Sequence, residues 1–148
     1  MINFEFTVVV NRPVDEVFAY LTDPEKLPEW QSMVLEARQD SPGAMTLGTK
    51  LTDVRKFLGR RFETSVEVTA FAPNKRADFK AVSGPIPFAI SHTLESVDGA
   101  TSIKVVAEGE PGRFFKLAEP LVGAQAERQF RNDFLTLKDL LEAEPRID

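Results

Sequence analysis

Hydrophobic and polar positions change their period several times along this chain, and each change marks an element. In INFEFTVVV, residues 2 to 10, Ile2, Phe4, Phe6, Val8 and Val10 share one face, with Asn3, Glu5 and Thr7 opposite. That alternation predicts a strand. The repeat then lengthens, because Val14, Val17, Phe18 and Leu21 recur at helical spacing. Asn11 and Arg12 lead into Pro13, a good first-turn residue, and Asp15 and Glu16 complement the positive helix start. Pro24 stops this helix. The segment 24 to 30, PEKLPEW, has room for a second helix of only a turn or two, and it ends in Trp30, the only tryptophan.

From 33 to 110 the pattern is strands and turns. MVLEARQ runs into the loop DSPGAM, and GTKLTDVRKF and RRFETSVEVTAF flank Leu58-Gly59-Arg60, a tight hairpin signal. Pro73-Asn74 precedes RADFKAV, Gly84-Pro85 precedes IPFAISHTLESV, and Asp98-Gly99 turns that strand into TSIKVVAEGE. Asp-Gly and other Gly-containing turns are hairpin chemistry. The expectation is six antiparallel strands in a meander, added to the N-terminal one. No linker or repeat interrupts them, so one domain is expected over 1–148.

The last segment, 114 to 143, predicts a long helix with Phe130, Phe134, Leu137 and Leu141 on one face. Stepping back along it at ~100° per residue places Gly123, Ala126 and Glu127 on that face and Leu117 and Leu121 on the other. Pro120 marks a kink or a restart, with 114 to 118 as an entry turn. Such a helix must bury its stripe, and the apolar sheet face is the surface available for it.

Composition narrows the partners. The 148 residues carry a net charge of −5, which disfavours nucleic acid, because binding phosphates needs a surplus of Lys and Arg. There is no cysteine, which excludes disulfides and thiolate sites, and a single histidine argues against a transition-metal site. No metal and no cofactor is therefore expected. No run approaches the ~18 apolar residues of a membrane span, and MINFEFTVVV lacks the layout of a signal peptide, so integral membrane association is not expected and a cytoplasmic protein is. Motifs for phosphate loops, nucleophile elbows, paired zinc ligands and dinucleotide binding are absent; EGEPGRF has two glycines without the phosphate-loop spacing.

A first strand, then RPVDEVFAYLTDPEKLPEW, then a strand opened by Gly48-Thr49, then a terminal helix ending in LKDLLE resembles the polyketide cyclase/dehydrase-like branch of the START-like (SRPBCC) superfamily. The resemblance covers nearly the whole chain and rests on an Asp-Pro step, a tryptophan six residues beyond that proline, and the order of elements. It implies an α+β helix-grip fold, in which a curved antiparallel sheet of about seven strands wraps the long C-terminal helix and leaves a cavity between them. In that geometry the two short helices sit at one mouth of the sheet. The implied cavity walls are Trp30, Phe62, Phe79, Phe88, Ile90 and His92 from the helices and sheet. Gly123, Ala126, Glu127 and Phe130 face them from the helix.

Each candidate has a plain packing alternative. Trp30 is either a plug at the base of the core or a cavity wall, and one ring can serve both. Gly123 and Ala126 either let helix and sheet approach or leave room for a ligand, while Phe130 and Phe134 fill the lower core. His92 alternates with Phe88, Ile90 and Leu94, so it turns inward and desolvation lowers its pKa. It is a satisfied core residue, or else a polar anchor or proton carrier. In strand 49 to 57, either Leu51 and Phe57 face in and carry Asp53 and Arg55 with them, or Val54 and Leu58 do and the charges are surface; the cost of burying ions favours the second. Lys56, Arg60 and Arg61 read as a solvated hairpin tip, with anionic lipid headgroups as the alternative, and Tyr20 reads as packing.

Three functions follow. The first is binding or transport of a small hydrophobic ligand, such as a lipid, a sterol-like compound or an aromatic polyketide-like metabolite. The second is a cyclase, aromatase or dehydratase, with His92, Asp53, Arg55 and Glu127 as inward candidates. The third is a protein-interaction or regulatory module, favoured by an apolar patch beside the loop 83 to 88.

Overall fold

The computed structural model describes residues 2–110 and 119–144. Strand β1 (Ile2–Val10) is followed by helix α1 (Val14–Thr22), a 3₁₀ turn (Pro24–Lys26) and the one-turn helix α2 (Leu27–Trp30). Strands β2 (Val34–Gln39), β3 (Lys50–Phe57), β4 (Arg60–Ala72), β5 (Arg76–Ser83), β6 (Phe88–Val97) and β7 (Ala100–Gly109) come next, and helix α3 (Glu119–Ala143) closes the chain. The expected entry turn at 114 to 118 lies outside the described residues, and Pro120 is the second residue of α3.

All seven strands join one antiparallel sheet in the order β1-β7-β6-β5-β4-β3-β2, so the meander is closed off by β1 pairing with β7. Two turns show why these sequences make hairpins. Leu58 and Gly59 have φ of 50° and 79°, and Asp98 and Gly99 have 51° and 82°. Consecutive positive φ values match the twist of the strands that they join. The sheet bends because β4 slips register against β5 between Ser65 and Val66 and again between Val68 and Ala70. An extra residue on one strand of a pair kinks it, and two such bulges turn the sheet into a trough.

Helix α3 lies along β1 and closes that edge of the sheet. Lys138 Nζ donates to the Val9 carbonyl at 2.8 Å and Arg131 Nη2 to the Glu5 carbonyl at 3.3 Å, so outward-facing carbonyls of the edge strand meet helix side chains. The buried Arg12 ties the two ends together, donating from Nε to the Leu141 carbonyl at 2.8 Å, while its own carbonyl accepts from Thr101 Oγ1 at 2.8 Å. Phe134 and Leu137 are fully buried beneath β1 and β7, among Phe6, Val10, Ile103 and Val105. This is the helix-grip arrangement that the family resemblance implies.

Strand β3 departs from expectation. Leu51, Thr52, Asp53 and Val54 are all buried, so this strand is covered on both faces. On the convex side the Thr52 hydroxyl donates to Asp40 Oδ2 at 2.5 Å, within the loop that follows β2. Leu51, Asp53, Arg55 and Phe57 therefore face the concave side, and the surface placement of Asp53 and Arg55 is corrected. The cost of burying the ions is met by mutual pairing: Arg55 donates from Nε to Asp53 Oδ1 at 3.0 Å and from Nη2 to Oδ2 at 2.9 Å. Lys56, Arg60 and Arg61 are exposed at the hairpin.

Candidate functional site

Among the described residues the upper half of the trough is left unfilled. A cavity of about 150 Å³ lies between the sheet, α2 and the first half of α3. Its walls are mostly apolar. Phe62, Phe79, Phe88, Ile90 and His92 line it from β4, β5 and β6, and Trp30, Ala126 and Phe130 from the helices. Phe57, inward in one of the two readings of its strand, and Met33 and Ile86, which sequence periodicity did not single out, complete the wall nearest the β3–β4 hairpin.

Two expected wall residues lie elsewhere. Gly123 faces β1, and a Cβ built there would stand 3.1 to 3.2 Å from three side-chain atoms of Ile2. Its missing side chain lets helix and strand approach. Glu127 lies on the outer side of that contact and pairs with Arg131 at 3.6 Å across one helical turn. At the cavity the predicted helical face holds for Ala126 and Phe130, while Val122 is buried beside them where Gly123 and Glu127 were expected.

Trp30 is both plug and wall. It is 2% exposed, its ring meets Phe134 edge-on at 5.0 Å, and it borders the cavity. His92, also buried, packs on the rings of Phe79 at 5.7 Å and Phe134 at 5.8 Å. Its Nδ1 lies 2.9 Å from the Ala77 carbonyl. A carbonyl only accepts, so Nδ1 carries the proton of the neutral ring and Nε2 is a bare acceptor. Among the described residues Nε2 and Trp30 Nε1 have no hydrogen-bond partner. Burial lowers the His92 pKa from its ordinary value, outweighing the Ala77 bond and the field of Asp78.

A second polar group joins the helix to the loop after α2. Asp133, 2% exposed, accepts through Oδ1 from the Ser32 amide at 3.1 Å and the Ser32 hydroxyl at 2.7 Å. Gln129 also donates to the Ser32 hydroxyl. Because Gln31 and Met33 line the cavity on either side of Ser32, this contact holds part of its rim. Burial raises the Asp133 pKa, opposed by the Ser32 and Gln129 bonds and by Arg55. The sequence carried a signal for it: an acid at 133 stands inside the stripe formed by Phe130, Phe134 and Leu137.

Among the described residues no helix is long and apolar enough to cross a membrane. The fold recurs in solved structures. A START superfamily protein from Mycobacterium smegmatis is 14% identical with a TM-score of 0.80, covering 96% of this chain and 98% of that one. The di-domain ARO/CYC BexL from the BE-7585A biosynthetic pathway is 16% identical with a TM-score of 0.72, covering 96% of this chain and 47% of that one. The Aha1 dimer from Colwellia psychrerythraea is 23% identical with a TM-score of 0.66, covering 97% and 98%. At these identities the likeness is one of fold, and one fold hosts many functions. No curated protein matches the chain. The model of one family, described as polyketide cyclase/dehydrase and lipid transport, matches residues 1–142, and the chain belongs to that family.

Proposed function

We propose that this protein binds and carries a small hydrophobic molecule in the cavity between the sheet and α3. The observation that carries the reading is the unfilled space itself, about 150 Å³ walled by aromatic and aliphatic side chains. Apolar space of that size accommodates one benzene-sized ring. Each Å² of apolar ligand surface removed from water contributes roughly 25 cal/mol, so the walls supply affinity and the few polar groups supply orientation. A single ring is therefore the natural guest in this conformation, and a longer lipid would require the Ser32 rim to open. The description of the protein family, polyketide cyclase/dehydrase and lipid transport, supports a small-molecule guest and does not choose the compound.

Native mass spectrometry of the purified protein and calorimetric titration with toluene test the reading. A retained small molecule or a saturable toluene isotherm is expected. Ala126→Phe, which projects a ring into the cavity, should weaken toluene binding at least tenfold while the circular dichroism spectrum persists. A protein that retains nothing and gives no isotherm refutes the carrier role.

The polar groups in the wall favour cyclase- or dehydratase-type chemistry as a second reading. Such a reaction needs a base beside a carbonyl and donors for the developing enolate. Asp53 is engaged by Arg55, which leaves as candidate base the enclosed Nε2 of His92, without a partner among the described residues and with a pKa lowered by burial. Turnover of a poly-β-ketone substrate that disappears in a folded His92→Ala variant would establish the enzyme over the carrier.

A further inference from the structure

The two edges of the sheet differ. β1 is covered by α3, whose Lys138 and Arg131 cap the carbonyls of Val9 and Glu5. β2 is the other edge, and among the described residues no strand pairs with its outer side. An open edge is a template for a further strand unless it is covered or charged against one. The phase of the β2–β3 ladder fixes which backbone groups stand free. The Asp40 amide donates to the Lys50 carbonyl at 2.8 Å. Bonded pairs alternate along an antiparallel ladder, so Arg38 and Glu36, opposite Thr52 and Val54, bond to β3. Ala37 and Gln39 alternate with them and aim their amides and carbonyls away from the sheet. The turn Pro24–Lys26 and α2 pack on β2 from the concave side, where Pro24, Leu27 and Ala37 share the cavity wall.

The side chains make this edge complementary to itself. Glu36 and Arg38 are both exposed and stand on the convex face with Val54 and Thr52. Asp40 holds the Arg38 guanidinium on that face at 3.2 Å and still leaves its side chain 61% exposed. A two-fold axis through Ala37 lays the strand against an antiparallel copy of itself. Ala37 then exchanges both backbone bonds with its own counterpart, and Glu36 of each copy stands opposite Arg38 of the other. Those two positions form non-bonded pairs on the new seam, where side chains lie closest and opposite charges attract. An axis through Glu36 or Arg38 would instead set like charges face to face, which is destabilising. The order acid, alanine, base thus selects one register, and the alanine leaves room at the axis. We propose that two copies of this chain associate edge to edge along β2 in the register centred on Ala37, joining their seven-stranded sheets into one.

Contact along one short strand buries little area, so the association is weak, with a Kd in the micromolar range. Sedimentation velocity on the full chain at roughly 5 to 500 µM brackets such a Kd. The wild type should pass from monomer to dimer across that range. Glu36→Arg sets like charges opposite each other at two symmetric positions and should raise the Kd about tenfold. The double variant Glu36→Arg/Arg38→Glu brings opposite charges face to face again and should return the Kd to within about threefold of the wild type. Ala37→Pro removes the central donor from an edge position that gives no bond to β3, so it should abolish the dimer while the circular dichroism spectrum persists. Glu36→Arg changes only an exposed side chain and decides the matter should the proline unfold the chain. A wild type that stays monomeric throughout overturns the dimer and leaves the edge to another chain. A dimer that Glu36→Arg leaves unchanged also overturns it, since the copies then meet elsewhere. A folded double variant that associates no better than Glu36→Arg overturns the register.

Discussion

Asp133 on α3 holds Ser32 through a single carboxylate oxygen, which accepts from the backbone amide at 3.1 Å and the hydroxyl at 2.7 Å, while Oδ2 is enclosed without a partner among the described residues. The helix thereby fixes the segment that links α2 to β2 and frames the cavity rim. The charge responsible for this is held in a poor solvent.

That balance has a definite pH signature. Burial raises the Asp133 pKa above the ordinary value of 3.8, so the folded state binds this proton more tightly than the unfolded state. Its contribution to stability is greatest below 3.8 and is lost as pH rises through the higher folded value. Asp133→Asn keeps the Oδ1 acceptor and removes the charge. Its Tm should exceed that of the wild type at pH 7.5, and the difference should vanish near pH 4. A variant less stable than the wild type at both values would show that the charge itself holds Ser32.

His92 gives the opposite slope. Its folded pKa lies below the ordinary 6.5, so the unfolded state binds more protons once pH falls below that value. Stability from keeping this ring neutral is complete above pH 6.5 and declines as pH falls toward the folded value. In His92→Asn the side-chain amide can still donate to the Ala77 carbonyl, and there is nothing to titrate. Urea unfolding between pH 5 and 7.5 should show a smaller decline for the variant than for the wild type.

Phe134 is the junction of the core, fully buried and in contact with the rings of Phe6, Trp30 and His92. Phe134→Ala should cost about 3–5 kcal/mol, the range for a large aromatic whose site does not collapse. Chemical denaturation followed by Trp30 fluorescence reads both the loss and the altered surroundings of the indole.

Gly123 and Ala126 should respond to enlargement in different ways. Gly123→Leu drives atoms into Ile2, which borders the cavity from β1, and overpacking of this kind costs about 1–3 kcal/mol. Ala126→Phe fills the cavity instead. Thermal melts should therefore single out the first variant and toluene titrations the second. Equal loss of binding in both would place Gly123 at the ligand after all.

Most of the architecture was legible because its causes are local. Period-two alternation in 2 to 10 made β1, helical spacing from Val14 to Leu21 made α1, and Asp98-Gly99 made a hairpin, each through forces acting within a few residues. The inward turn of His92 followed from the same alternation. The alternation failed on β3, where the loop after β2 covers the convex face and both sets of side chains are buried. On the first half of α3 the helical face held for Ala126 and Phe130 and failed at Gly123 and Glu127, where Gly123 seats against Ile2.

The amino-acid order alone settled which segments pair and which face of each is apolar, since strand period, helix period and turn chemistry are properties of short stretches. Whether Asp53 and Arg55 meet solvent or each other, whether Trp30 closes on Phe134, and whether space is left above Phe130 depend on groups far apart in the chain. Only the bend of the sheet over α3 brings those groups together, and packing between surfaces fixes the space that remains.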